Sequence, residues 1–347
     1  MKKMLTKIAA VLCAAVMLTA CAGQGSGSAP SSGSDKLSIV TTIFPEYDWV
    51  MQILGDKAGD AEVTMLLDNG VDLHSYQPVA SDILKISDCD IFIYVGGESD
   101  GWVDDALKES VNPDMIVINL LEVLGDDVKE EEVVEGMQEE DEHDHDHHDE
   151  DGDHDEDEDH DHDHEEEEVE YDEHVWLSLR NASVLCDAIT DGLAKADPDN
   201  ASVYQANNDA YKAQLSALDE QYKEAVAGAA FDTVLFGDRF PFRYLTDDYN
   251  LDYYAAFVGC SAETEASFET VVFLANKIDE LGLGAILTIE NSDGKIAQTI
   301  RDNTADKNQE IYALDSMQAT TSADVKNGVT YLSVMTSNLE VLKQALN

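Results

Sequence analysis

Basic residues are scarce in this chain of 347 residues, which has 20 Lys and Arg against 74 Asp and Glu and a formal net charge of −54. A protein that binds nucleic acid needs a basic surface to meet the phosphates. The composition therefore excludes nucleic acid as a partner. The acidic residues are also unevenly distributed, since residues 130–173 hold 28 of the 74 and contain no Lys or Arg.

The chain also lacks the motifs of common enzymes and of disulfide-rich proteins. It has no Gly-rich phosphate loop and no HExxH pair, so we expect no enzymatic activity. Its five cysteines include no Cys-x-x-Cys pair. Cys13 and Cys21 lie in the leader, and the odd number that remains leaves at least one thiol unpaired. We interpret Cys89, Cys186 and Cys260 as buried thiols without a chemical role.

The leader lacks the length of a transmembrane span but has the pattern of a secretion signal at residues 1–20. Three lysines precede an apolar run at 8–18, which is shorter than the roughly 20 residues that a membrane helix needs. The run ends in Leu-Thr-Ala-Cys, which resembles a bacterial lipobox and predicts lipidation of Cys21. Residues 21–35, rich in Gly and Ser, predict a flexible tether. We expect an extracytoplasmic protein that is anchored to the cell membrane through lipid alone.

From residue 36 onwards, short apolar runs alternate with amphipathic stretches. Continuous apolar runs are typical of parallel strands that are covered by helices on both faces. Eight runs predict an α/β fold of two lobes, each a four-stranded, mainly parallel sheet with flanking helices. The runs lie at 37–44, 62–67, 90–96, 115–120, 233–237, 251–257, 285–290 and 310–315. Helices are predicted at 48–54, 80–87, 102–110, 268–281, 295–304 and 323–346.

The predicted N-terminal lobe spans residues 36–199, a long linking helix spans 200–228, and the C-terminal lobe spans 229–347. Within the first lobe, the acidic residues 126–170 are predicted to be disordered, because a segment of such composition cannot bury a core. Ligands of open α/β sheets bind outside the carboxyl ends of the strands. We therefore expect the ligand in a cleft between the two lobes.

Eight of the ten histidines lie in the acidic insert, so the folded part keeps only His74 and His174. His74 lies in LLDNGVDLHSYQP after the second predicted strand, and His174 lies in EYDEHVWLS where the insert ends. A single His in a loop is usually a polar surface residue. Both loops, however, fall on the predicted ligand-binding edge, and neutral imidazole is a common metal ligand. The histidines of the insert, which we interpret as accessory metal-capturing groups, are His143, His145, His147, His148, His154, His160, His162 and His164.

The segments GVDLHSYQP and DEHVWLSLRNA resemble the two metal-ligand motifs of metal-binding solute receptors of bacterial ABC importers, the zinc and manganese class. The resemblance covers residues 37–347 and includes the lipoprotein leader. In the zinc type, a His- and acid-rich insert often precedes the second ligand, as it does here. One departure is Glu173, which stands where the family usually has Pro.

The resemblance implies that His74, His174 and Asp315 bind the metal, Asp315 being the acid of a Leu-Asp pair after the final strand. The family's remaining ligand, a His or Glu, falls on Gly237, which has no side chain. Zinc prefers four ligands, so one position is left open. The candidates for it are Asp238, Glu290, Glu263 and Glu265.

The resemblance implies a receptor that captures a divalent metal between its lobes and delivers it to an ABC permease, and we expect it to be a monomer. Zn²⁺ is the expected cargo because the insert is rich in imidazole. Mn²⁺ and Fe²⁺ are alternatives, since selectivity depends on a geometry that the sequence does not show. A second hypothesis is a surface metal buffer or adhesin whose working part is the insert itself.

Overall fold

The computed structural model describes residues 36–138, 170–261 and 265–347. The predicted signal peptide, the lipidated Cys21 with its tether, the eight histidines of the insert and Glu263 all lie outside the described residues. Within the described ranges, no helix combines the length and the apolar character that a membrane crossing requires.

The first sheet joins four parallel strands in the order β2-β1-β3-β4. The central strand β3 reads IFIY and is buried at every residue, as expected where helices cover both faces of a sheet. The elements of this lobe are β1 Leu37–Thr41, α1 Phe44–Leu54, β2 Ala61–Met65, α2 Ala80–Asp88, β3 Ile91–Tyr94, α3 Val103–Lys108, β4 Ile116–Asn119 and α4 Leu120–Leu124.

Two helices, α5 Leu179–Ala196 and α6 Ala201–Ala227, connect the lobes and pack against each other. With 27 residues at ~1.5 Å each, α6 is about 40 Å long. It packs against α1 of the first lobe and against the C-terminal helix of the chain. Its buried residues recur every three or four positions, which is the spacing of one helix face: they are Tyr204, Asn208, Tyr211, Leu215, Leu218, Asp219 and Tyr222.

The second sheet repeats the topology of the first, with parallel strands in the order β6-β5-β7-β8. In each lobe the strand order reverses beside the first strand, and ligand sites of open α/β sheets form at such a reversal. The elements of this lobe are β5 Thr233–Phe240, α7 Arg243–Tyr249, β6 Asp252–Val258, α8 Phe268–Leu281, β7 Ala285–Ile289, α9 Lys295–Asn303, β8 Glu310–Leu314, α10 Ser322–Lys326 and α11 Tyr331–Ala345.

The two lobes share one hydrophobic core. A single cluster of buried side chains includes Phe92 of the first sheet, Trp176 before α5, Phe236 of the second sheet and Tyr331 of α11. A smaller cluster lies between the second sheet and helices α8 and α9. The lobes are therefore joined by buried apolar contacts as well as by α6.

Part of the segment that the sequence predicts to be disordered is folded. Residues 126–138 and 170 belong to the folded unit, and the rest of that segment, residues 139–169, lies outside the described residues. The buried side chain of Met137 holds this stretch in place. The N–H of Gln138 donates to the carbonyl of Ala256 at the end of β6 (2.9 Å). These contacts could not be predicted from composition, because the few apolar residues of this stretch lie among many acidic ones.

The two ends of this segment meet in a short antiparallel pairing, which we call the stem and define as residues 129–131 and 170–172. Glu130 forms a bridge with Tyr171, and N–H groups of each side donate to carbonyls of the other at 2.9 Å. The hydroxyl of Tyr244 in α7 accepts from the N–H of Lys129 (3.0 Å) and donates to the carbonyl of Asp172 (2.8 Å). The stem is therefore fixed against the second lobe, two residues before His174.

Candidate metal centre

His74 is held by the short turn that follows β2. Asp72 begins this turn, and its Oδ1 accepts a hydrogen bond from the N–H of His74 (3.0 Å). The ring Nδ1 of His74 lies 2.7 Å from Oγ of Ser99 and 3.5 Å from Oε2 of Glu173. Because Nδ1 is engaged by these oxygens, Nε2 is the ring nitrogen left to bind a metal.

His174 is fully buried between the stem and the 3-10 turn that leads to α5. Oδ1 of Asp172 lies 3.0 Å from its ring Nδ1 and also accepts its backbone N–H (2.8 Å). The ring packs against Trp176, with 5.3 Å between the ring centroids. On another side, a Cβ at Gly259 would lie 2.8 Å from Cε1 of His174. Only glycine allows the loop after β6 to come this close to the imidazole.

The two imidazoles converge on one point. Nε2 of His74 lies 3.0 Å from Nε2 of His174. Each ring has an oxygen partner at Nδ1, an arrangement that orients metal-binding histidines and selects their tautomer. The two histidines that the sequence singled out are thus placed to share one ion.

The structure adds a third residue to this pair. Among the described residues, one group of His, Cys, Asp and Glu side chains has at least three ligand atoms that all lie within 4.8 Å of one another, and its members are His74, His174 and Cys260. Cys260 follows β6 in the second lobe and is partly buried. Sequence reasoning missed it and interpreted it as an inert thiol, since an isolated cysteine carries no motif.

Asp315 is not a member of that group. It follows β8, where its carboxylate accepts the N–H of Met317 (2.8 Å). Burial, followed by the nearby Glu290, raises the pKa of Asp315 to about 6. The carbonyl of the next residue, Ser316, accepts from the indole N–H of Trp176 (2.8 Å), and Trp176 packs on His174. The side chain of Trp176 therefore contacts both the loop of Asp315 and the ring of His174.

The other described candidates for a further ligand are also outside the group. Glu290 accepts four hydrogen bonds from the loop of Asp315, two from Ser316 and one each from the N–H groups of Gln318 and Ala319. Both of its oxygens are therefore used to hold that loop. Glu265 is exposed.

Gly237, on which the resemblance places the family's remaining ligand, faces helix α9. A Cβ built there would lie 2.6 Å from Cα of Ala297, so the backbone of α9 leaves no room for a side chain. The neighbouring Asp238 accepts the N–H of Arg239 at Oδ1 (2.9 Å), while its buried Oδ2 has no hydrogen-bond partner.

Arg239 connects the loop of His74 with the loop of Cys260. Its Nη2 lies 2.6 Å from Oδ2 of Asp72, and its Nη1 donates to the carbonyl of Ser261 (3.3 Å). Burial alone would raise the pKa of Asp72, but the guanidinium outweighs burial and lowers it. Arg239 is thus neutralised by a carboxylate and holds the two lobes together beside the site.

The histidines differ in their affinity for a proton. Burial, followed by the charge of His174, lowers the pKa of His74. Burial also opposes a charge on His174, but the carboxylate of Asp172 outweighs it and raises the pKa of His174. Burial and then the charge of Glu131 raise the pKa of the Cys260 thiol far above its usual range. Of the two rings, His174 therefore takes up a proton more readily than His74.

An acidic pocket of about 250 Å³ opens beside this group. Its walls include four glutamates, two of which belong to the stem. The lining residues are His74, Glu98, Ser99, Glu131, Glu170, Tyr171, Glu173 and Cys260. A cleft lined by one sign of charge concentrates counter-ions, so the pocket favours the approach of a cation.

Known proteins resemble this chain over nearly its whole length. Residues 39–345 match the family model of ZnuA, described as the periplasmic component A of a zinc-uptake complex. The chain is 31% identical over 342 residues to the zinc-binding lipoprotein AdcA of Streptococcus pneumoniae, a match that covers 99% of this chain and 61% of that protein. It is 30% identical over 338 residues to the high-affinity zinc uptake system protein ZnuA of Bacillus subtilis, covering 97% and 96%.

Solved structures confirm the predicted fold of two four-stranded α/β lobes. The Zn(II)-bound ZnuA-like domain of Streptococcus pneumoniae AdcA has a TM-score of 0.66 and 27% identity, covering 90% of this chain and 99% of that one. The metal-dependent lipoprotein YcdH of Bacillus subtilis has a TM-score of 0.69 and 25% identity, covering 90% and 99%.

Proposed function

This chain belongs to the ZnuA family of zinc-uptake components, and we propose that it is a receptor that captures Zn²⁺ between its two lobes and delivers it to an ABC permease. The observation that carries the proposal is the pair of Nε2 atoms, 3.0 Å apart, each on a ring whose Nδ1 has an oxygen partner. Such a pair offers two neutral nitrogen donors to one ion.

Capture of the ion involves no covalent chemistry on the substrate. The acidic pocket attracts hydrated Zn²⁺, and His74 and His174 replace part of its water shell. Where His174 is protonated, its proton is released as the ion binds, because only neutral imidazole can coordinate a metal. Asp315 is the proposed carboxylate ligand. Its loop has to move towards the imidazoles to reach the ion, since Asp315 lies outside the group of convergent ligand atoms.

We also propose that the protein acts outside the cytoplasm as a monomer, attached to the membrane by lipid on Cys21. The names of the streptococcal lipoprotein and of the family support this location. The permease would recognise the metal-loaded form, in which ligands from both lobes bind the same ion.

A comparison of two kinds of variant tests the proposal. His74→Ala and His174→Ala should each weaken Zn²⁺ binding by more than the ~10–100-fold that loss of a ligand's outer partner costs. Deletion of residues 139–169 should leave one tight site, as measured by titration calorimetry. If the deletion abolishes tight binding and the histidine variants keep it, the insert is the working part and the protein is a metal buffer.

The identity of the cargo needs a separate measurement. The metal content of the purified protein, together with competition between Zn²⁺ and Mn²⁺, should show a preference for Zn²⁺, as imidazole donors favour it over Mn²⁺. Retention of Mn²⁺ against equimolar Zn²⁺ would contradict zinc as the substrate.

A further inference from the structure

We infer that the thiolate of Cys260 is a ligand of the transported ion, so that the second lobe binds the metal through sulfur. The inference rests on the proposed function, because it concerns the same ion and the same cleft. The ligands that the sequence implied for the second lobe are all carboxylates: Asp315, with Asp238, Glu290, Glu263 and Glu265 as candidates for a further position.

The distances fit an ion shared by the three residues. With Zn–N bonds of about 2.0–2.1 Å and a Zn–S bond of about 2.3 Å, a tetrahedral site places two nitrogens ~3.3 Å apart and a nitrogen and a sulfur ~3.6 Å apart. The two Nε2 atoms lie 3.0 Å apart, and Sγ of Cys260 lies within 4.8 Å of both histidine ligand atoms. Changes of at most about 1.2 Å in these distances complete the geometry.

The backbone around Cys260 holds the thiol beside the ring nitrogens of His74 and His174. Gly259 lacks the Cβ that would strike the ring of His174. The N–H of Cys260 is directed at Oε1 of Glu131 in the stem (3.4 Å), and the carbonyl of Ser261 accepts from Arg239. The loop is therefore held from both sides, by the stem and by the arginine that also holds the turn of His74.

The topology gives Cys260 the same place in its lobe that His74 has in the first. His74 follows β2, and Cys260 follows β6, and each of these strands is at the edge of its sheet next to the first strand of the lobe. Each lobe thus presents one ligand from the same carboxyl edge. The backbone of α9 leaves no room for a ligand side chain at Gly237. Cys260, in the loop after β6, provides a metal ligand from the second lobe instead.

The other two described cysteines show what an inert thiol looks like in this fold. Cys89 and Cys186 are completely buried, and neither lies within the group of convergent ligand atoms. Cys260 is partly exposed and lines the acidic pocket. On binding, the sulfur forms a bond to the metal and releases its proton to solvent, so the charge of the complex falls by one.

Cobalt substitution provides the test, because a thiolate bound to Co²⁺ produces a charge-transfer band in the near ultraviolet that nitrogen and oxygen ligands do not produce. The full chain loaded with one equivalent of Co²⁺ should show the band. Cys260→Ser should lose it, while Cys89→Ala and Cys186→Ala keep it. The insert contains no cysteine, so Co²⁺ bound there adds no background to the band.

Two binding measurements separate this inference from the proposed function. We expect Cys260→Ser to weaken Zn²⁺ binding at least tenfold while its circular dichroism spectrum stays that of the parent. Alkylation of Cys260 by iodoacetamide should be slowed by Zn²⁺ in a variant that lacks Cys89 and Cys186.

Unchanged affinity in Cys260→Ser, or a Co²⁺ spectrum without the charge-transfer band in the parent, overturns the thiolate ligand and leaves the receptor role standing. Loss of all tight binding in the parent, or tight binding that survives His74→Ala and His174→Ala, overturns the receptor role itself.

Discussion

The proposed metal ligand His174 has a carboxylate partner, Asp172, at its ring Nδ1 (3.0 Å). Because the pKa of His174 is raised above its ordinary value, its ring takes up a proton at a higher pH than an ordinary histidine does, and Zn²⁺ competes with that proton. Below that pKa, affinity falls about tenfold per pH unit for each proton displaced. His74 adds little to this dependence, since its pKa is lowered.

We therefore predict at least tenfold weaker Zn²⁺ binding at about pH 5.5 than at about pH 7.5, measured by calorimetry in a buffer that does not bind zinc. Asp172→Asn removes the charge that favours the proton on His174, so it should shift the pH dependence to lower pH. Equal affinity at the two pH values in the parent would contradict protonation of the site.

Gly237 illustrates how a missing side chain can be a requirement of packing. Its Cβ would lie 2.6 Å from Cα of Ala297, and a helix backbone cannot yield as a flexible side chain can. We predict that Gly237→Ala lowers the free energy of unfolding by about 1–3 kcal/mol and leaves Zn²⁺ affinity unchanged, as measured by denaturant unfolding and calorimetry.

Gly284→Ala is the matched control for this substitution, since a Cβ at Gly284 would meet nothing within 4 Å. It should change stability far less than Gly237→Ala. A Gly237→Ala protein that is as stable as the parent would show that α9 can move away.

At the scale of single residues, the sequence predicted part of the site. His74 and His174 stood out because the folded part of the chain has so few histidines, and the structure brings them together. Cys260 did not stand out, because its position beside the histidines depends on a loop conformation that involves Gly259 and the stem. The one signal in the sequence is a Gly-Cys pair at the end of a strand in the position that corresponds to His74.

Among the structural elements, α11 connects the second lobe to the segment that carries His174. The hydroxyl of Tyr331, at its first turn, donates to the carbonyl of Trp176 (2.6 Å). The backbone N–H of the same residue donates to Asp48 of α1 (3.1 Å). The ring meets Trp49 edge-on, with 5.3 Å between the centroids. One buried tyrosine thus joins three parts of the fold.

We predict that Tyr331→Phe lowers the free energy of unfolding by about 1–3 kcal/mol, because a buried carbonyl loses its hydrogen-bond partner. Urea unfolding followed by circular dichroism measures this change. Tyr312→Phe, at a less buried tyrosine of β8, is the control and should have a smaller effect. Equal stability of the two variants would mean that the Trp176 carbonyl finds another donor.

The sequence predicted which elements exist better than where they end. Continuous apolar runs identified all eight strands of the part of the chain that the structure describes. The strand predicted at 233–237 extends to Phe240, because its pairing with β6 resumes after a shift in register between Phe236 and Arg239. The single helix predicted at 323–346 is two helices, separated around Gly328, which has a φ of +93°. A register shift and a positive φ depend on tertiary contacts that no local pattern records.

For the whole molecule, a ligand bound by residues from both lobes should stabilise the entire folded unit. Binding adds about 2.7 kcal/mol to the free energy of unfolding when free Zn²⁺ is a hundred times its dissociation constant. We predict that Zn²⁺ raises the melting temperature and that Mg²⁺ leaves it unchanged, since magnesium prefers oxygen ligands. The double variant His74→Ala/His174→Ala should not respond, and an equal response would place the stabilising ion elsewhere.

The division into two similar lobes was predictable from the repeated alternation of strands and helices. The shared core was not, because apolar periodicity shows that a side chain is buried and does not show which other side chains surround it. The ordered residues 126–138 were also hidden, since their contacts are with the second lobe, more than a hundred residues away in the chain.

The stem has a consequence for what happens when the polypeptide is cut. A protease that hydrolyses a single peptide bond between residues 139 and 169 would produce two fragments, one with His74 and the other with His174 and Cys260. Both fragments contribute to the same hydrophobic core and pair with each other through the stem, so the nicked protein should elute as one species. Zinc would then act as a cross-link between two chains, and its removal should make their dissociation by denaturant easier.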